Sequence, residues 1–219
     1  MGIYIEFLIL YVVLFLSGSA GSMTNAAGEA AGFSASMELA RIFLHSIPSL
    51  ALVWYLLLKV KKAVNWDILP GRKDLISGLV TLPCLLITGS AITFISSYIG
   101  GTSAQISLHS PSTSMEWIIL CFSCVFAAYL EESFFRFYIL SRRDELKLNA
   151  AQALVVSVAL FSICHIYEGP WGFLNAVLSG TFLCFIFLRY KSLHGIAVGH
   201  ALYNITVYAI NAMLTSSGA

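Results

Sequence analysis

The chain has 219 residues, of which 58% are hydrophobic and only 11% charged, with a mean hydropathy of +0.85. A soluble domain carries roughly 25% charged residues, so the composition excludes an ordinary soluble protein and points to one integral membrane domain over 1–219. A net charge of +1 gives no reason to expect nucleic acid as a partner.

A hydrocarbon core of ~30 Å takes about 20 apolar residues as helix. Runs of this kind fall at roughly 3–20, 38–58, 74–99, 116–140, 150–167, 170–190 and 194–214. They predict an all-α, polytopic transmembrane bundle of about seven helices. Helices satisfy their own backbone in lipid, and no period-two polarity marks strands. The first run is the weakest, because its short apolar core leads into SGSAGS. Its start, MGIYIE, has no Lys or Arg and carries Glu6, unlike the positive n-region of a signal peptide. It also lacks the Ser or Thr at position 6 of a myristoylation motif. The Gly/Ala/Ser-rich segment 17–37 reads as a loop, in part re-entrant. In the second run, Arg41 can snorkel at an outer helix end and His45, near Pro48, reads as structural. His109 and His194 read as solvated. Trp54, Trp66, Trp117 and Trp171 fall near the expected interfaces, as an aromatic belt does. The five cysteines lie in apolar runs. Cys121 and Cys124 form a C-x-x-C without a second pair, so all five read as small buried hydrophobes.

Alternate loops hold ten of the twelve basic residues: Lys59, Lys61, Lys62, Arg72, Lys73, Arg142, Arg143, Lys147, Arg189 and Lys191. The positive-inside rule makes those loops cytoplasmic, with the N-terminus inside and the C-terminus outside.

Ionisable residues inside a membrane helix are by default a functional hypothesis. In AAYLEESFFRFYIL, residues 127–140, Glu132 and Arg136 are four apart with Glu first, so they share a face and can pair. Glu131 is rotated by about 100° from Glu132 and is left free of that pair, which suits a general base. The fifth run carries Phe161 and His165 one turn apart, and the seventh carries His200 and Asn204 on one face, continued by Asn211. Glu131, His200 and Asn204 lie about 14, 9 and 15 Å from the cytoplasmic ends of their helices, which places a site in the cytoplasmic half. His165 comes out deeper, at about 20–23 Å, which strains that placement. Gly195 and Gly199 form a G-x-x-x-G that lets the seventh helix approach a neighbour closely.

Two assignments fit these side chains. In one, Glu131 and His165 hold and deprotonate a water while His200 and Asn204 donate to an oxyanion. In the other, Glu131, His165 and His200 are three zinc ligands with water as the fourth, although the H-E-x-x-H spacing is missing. The ordered motifs E-E-x-x-x-R (Glu131, Glu132, Arg136), F-x-x-x-H (Phe161, His165) and H-x-x-x-N (His200, Asn204) resemble those of the CPBP family. That family contains CAAX prenyl endopeptidases of the Rce1 type and bacteriocin-processing and Abi-type proteins. The resemblance covers about 116–214, the expected catalytic core; the first three helices match only in character. It implies an intramembrane endopeptidase with Glu131 and His165 as the water-activating pair and His200 and Asn204 as oxyanion donors, Glu132, Arg136 and Phe161 supporting them. The glutamate mechanism requires no cofactor, although such proteins have often been called metalloproteases, so Zn2+ stays the alternative. The implied substrate is a peptide or lipidated protein tail, CAAX-like or a leader, reaching the site from the cytoplasmic side within membrane lipid.

Rhomboid-like, aspartyl and site-2 proteases are disfavoured: no G-x-S-G is present, Asp67, Asp74 and Asp144 lie at helix ends or in loops, and H-E-x-x-H is absent. A non-catalytic scaffold or immunity protein on the same fold, and a proton-coupled transporter, are the alternatives from other classes. A transporter usually shows related halves, and no internal repeat is visible. Oligomeric state has no signal in the sequence.

Overall fold

The computed structural model describes residues 2–16, 33–59, 70–100 and 109–217. Most of the loop 17–37, and Lys61, Lys62, Trp66 and Asp67, lie outside the described residues. The described residues are helical throughout apart from turns and connections, without a strand. In chain order the helices are α1 (Ile3–Leu16), α2 (Ala35–Lys59), α3 (Arg72–Gly100), α4 (Ser114–Ser141), α5 (Ala150–Ile163), α6 (Ile166–Tyr190) and α7 (Leu193–Ser217). The seven expected runs are these seven helices.

Four of them, α2, α3, α4 and α6, are long and apolar enough to cross a membrane. α7 is 25 residues long, but His194, His200, Asn204 and Asn211 dilute its apolar character. α5 differs from expectation. It ends at Ile163 rather than 167, after 14 residues, or about 21 Å, short of a ~30 Å core. His165 then sits in a turn, with φ −104° and ψ 8°, before a short 3-10 segment Ile166–Glu168. The chain restarts as helix at Gly169, whose φ of +81° suits a residue without a Cβ. Pro170 follows in the first turn of the restarted helix, where its missing N–H costs nothing.

Local chemistry sets several other boundaries. Reciprocal side-chain caps start α4 (Thr113 with Glu116) and α5 (Asn149 with Gln152). α6 ends at Lys191 in the left-handed region, φ 52°, and only Lys191 and Ser192 separate it from α7.

α1 is short, but it packs through Phe7, Tyr11 and Phe15 against Phe134, Phe135 and Tyr138 of α4. Its Glu6 accepts hydrogen bonds from Tyr138 Oη and Arg142 Nη1, both at 2.6 Å. The acidic residue that argued against a signal peptide is thus a polar tie between α1 and the end of α4. Trp54 is likewise turned inward, donating to Ser133 Oγ at 2.9 Å.

α3 and α7 form the tightest seam. A Cβ on Gly199 would lie 2.6 Å from Thr81 Cβ, and one on Gly195 would overlap Ser77 Oγ and the Asp74 carbonyl. The G-x-x-x-G therefore meets α3, and this close approach fixes where the rest of α7 lies.

Candidate active site

α4 changes its winding where the charged residues are. Residues Ser133–Tyr138 form a π-helical segment directly after Glu132. Such wide turns recur at functional sites because they re-aim side chains and loosen the carbonyl ladder. Here Ser157 of α5 donates to the Phe135 carbonyl at 2.7 Å. Every residue from Glu132 to Leu140 is buried, while Glu131 keeps 23% of its side chain exposed.

The two glutamates are therefore in different surroundings. Glu132 and Arg136 are fully buried and paired, Nη1 to Oε1 at 3.1 Å, as the Glu-first spacing predicts. Arg136 also donates to the Gly180 carbonyl at 3.4 Å, and its guanidinium carbon lies 4.2 Å from the centre of the Phe161 ring. Phe161 packs in turn against His165, ring centres 4.5 Å apart and the planes tilted by 47°. Phe161 is thus the apolar wall between the guanidinium and the imidazole. A Cβ on Gly180 would come 3.0 Å from Phe161 Cδ1, so this wall needs a small residue behind it.

His200 bridges both carboxylates. Its Nδ1 lies 2.8 Å from Glu132 Oε1, and its Nε2 faces Glu131 Oε2 at 3.8 Å. The second separation is too long for a hydrogen bond, so these two groups meet only as a looser charge contact. Two carboxylates against one guanidinium leave a net negative charge that an imidazolium would balance. His165 has its Nδ1 2.8 Å from the Phe161 carbonyl. A carbonyl only accepts, so Nδ1 carries the proton and neutral His165 has its lone pair on Nε2. Asn204 stands one turn beyond His200 on the same face of α7, half-buried, and among the described residues its side chain makes no hydrogen bond. Glu131, Glu132, Arg136, Phe161 and His200 are thus brought together directly, with His165 joined through Phe161. Asn204 is adjacent but not engaged.

Two residues were misjudged or missed by sequence reasoning. His194 is buried, not solvated: α3 and α4 cover the start of α7, and Tyr129 Oη lies 3.1 Å from its Nδ1. Glu168 was overlooked. Its amide donates to the His165 carbonyl at 3.0 Å, and residues three apart on a 3-10 turn share a side. It lies within electrostatic reach of both His165 and Glu131. Its Oε2 would be 2.9 Å from a Cβ at Gly172, so the carboxylate folds over the start of α6. The i, i+3 spacing within HIYE was the available signal.

Among the described residues no three His, Cys, Asp or Glu side chains are grouped to hold a metal ion.

Four helices long and apolar enough to cross a membrane, among described residues that are all helical apart from turns and connections, point to an integral membrane protein, and its bundle holds a buried ion pair, two imidazoles and a partly exposed carboxylate. Residues 113–206 match the family model Rce1-like, described as type II CAAX prenyl endopeptidase Rce1-like, in keeping with the CPBP resemblance. All seven motif residues fall inside the matched segment. The match supports a CAAX-type intramembrane protease at the level of family. No curated protein and no solved structure matches the chain.

Proposed function

We propose that this protein is a glutamate-type endopeptidase that hydrolyses a peptide bond in a membrane-associated peptide. The observation that carries this reading is the division between the two glutamates. Glu132 is consumed by Arg136 and His200, whereas Glu131 is partly exposed and faces His200 Nε2 across a 3.8 Å gap.

In the proposed reaction, a water held between Glu131 and His165 Nε2 loses a proton to this pair as its oxygen attacks the scissile carbonyl. His200 Nε2–H and the Asn204 amide donate to the oxyanion that develops. On collapse, the C–N bond breaks and the proton first taken from water passes to the leaving amine, so no external acid, base or oxidant is consumed. Glu132 holds His200 by Nδ1 so that Nε2 points at the reacting atoms. No metal takes part in this scheme. The substrate is a CAAX-like or leader tail entering from the cytoplasmic side, with the N-terminus inside, as the distribution of basic loops supports.

The test is cleavage by the purified protein of paired peptides, with and without a prenylated C-terminal cysteine, in the presence and absence of a zinc chelator. Cleavage that survives chelation and is lost in His165→Gln supports the reading. Cleavage abolished by the chelator and restored by zinc refutes the metal-free scheme.

A further inference from the structure

Asp74 belongs to no motif of the reaction, yet it is buried, with 6% exposure, and both of its oxygens are engaged. Oδ2 accepts the amide of Gly71 at 2.8 Å, at the start of α3. Oδ1 accepts the hydroxyl of Ser192 at 2.5 Å, immediately before α7. Ser192 Oγ accepts in turn from the Gly195 amide at 3.1 Å, which caps α7, and from the Ser77 hydroxyl at 2.7 Å. One carboxylate thus ties together the N-termini of two long helices, where both helix dipoles favour negative charge. His194, the titratable neighbour on α7, lies within electrostatic reach of Asp74, as does Lys73 on α3, and Tyr129 of α4 holds the His194 ring. Gly195 packs against Ser77 and the Asp74 carbonyl with no room for a Cβ. At this point α7 can neither slide nor rotate without breaking the cap.

We propose that Asp74 is a positioning residue: acting through Ser192, it sets the axial position of α7 against α3 and so where His200 and Asn204 meet the substrate. This rests on the reading of those two residues as oxyanion donors. His200 lies two turns beyond Ser192 on the same continuous helix, and a displacement of about 1 Å is enough to cost a reaction on the order of 100-fold.

The experiment compares full-length wild type with Asp74→Ala, Ser192→Ala and Asp74→Asn, by hydrogen exchange and by steady-state cleavage. Asp74→Ala and Ser192→Ala should raise amide exchange over 193–204 about tenfold or more while the α5 segment 150–163 stays as in wild type. Both should lower kcat by about 10- to 100-fold with KM within about twofold. Asp74→Asn keeps a carbonyl acceptor for Ser192 and should recover part of the loss. Unchanged exchange over 193–204 overturns the proposal, as does raised exchange with unchanged kcat, or a loss expressed in KM alone. If Asp74→Ala does not fold, Ser192→Ala decides. If wild type cleaves no peptide, the catalytic reading fails, and exchange over 193–204 still decides whether Asp74 fixes α7.

Discussion

Replacing Arg136 with Met keeps much of the side-chain volume and removes the charge, its hydrogen bonds and its cation–π contact with Phe161. The consequence is large because Glu132 is fully buried, is ion-paired with Arg136 and His200, and has an Oε2 without a partner among the described residues. Breaking a buried pair by removing one member costs about 3–5 kcal/mol, because a charge is left uncompensated. At about 2–4 °C per kcal/mol for a chain of this size, that is a fall of roughly 6–20 °C in Tm. Glu132→Gln should cost a similar amount by stranding Arg136. The double variant Glu132→Gln/Arg136→Met strands no charge, and the side-chain amide it places at position 132 can still accept from His200 Nδ1. Its stability should return to within about 1–2 kcal/mol of wild type, far from the sum of the singles. Its cleavage should stay reduced, since His200 then lacks a carboxylate at Nδ1. The assay is thermal unfolding of all four proteins in one detergent, alongside cleavage. Single variants that each cost under about 1 kcal/mol, or a double variant as unstable as the sum, would refute the ion-pair argument.

Further expectations concern the walls of the site. Asn204→Ala should lower kcat by about 100- to 1,000-fold with Tm unchanged, as loss of one oxyanion donor does; equal kcat would remove Asn204 from the mechanism. Gly199→Val should fold poorly or not at all, because its Cβ alone would come 2.6 Å from Thr81 Cβ in the α3 seam; adding Thr81→Gly, which removes that Cβ, should recover part of the expression level, and no recovery would place the clash elsewhere. Phe161→Ala, which removes the ring between Arg136 and His165, should destabilise by about 3–5 kcal/mol and lower cleavage, read by the same melts and peptides.

Helix number and the motif residues were legible because both depend on local pattern: long apolar runs, and polar residues at helical spacing. What was not legible depends on hydrogen-bond geometry and on neighbours distant in sequence. Hydropathy stays high through Cys164 and Ile166, so it gave no sign that α5 stops at Ile163 and puts His165 in a turn. The π-helical segment after Glu132 leaves no mark in composition. His194 read as solvated because it opens a helix near the expected membrane edge; only the packing of α3 and α4 over that end shows it buried. Asp74 was set aside as a helix-end residue, which is where it lies, but its partner Ser192 is 118 residues away. Glu6 carried a negative argument about targeting, while its contacts with Tyr138 and Arg142 arise only once α1 folds back on α4.

The account rests on Glu131 as the residue that activates water, and the most direct test is the turnover of Glu131→Gln. This variant keeps size and hydrogen-bonding capacity and removes the base. With protein whose melting matches wild type, the account predicts a fall in kcat of about 100- to 10,000-fold and little change in peptide binding. Turnover within about twofold of wild type would contradict it.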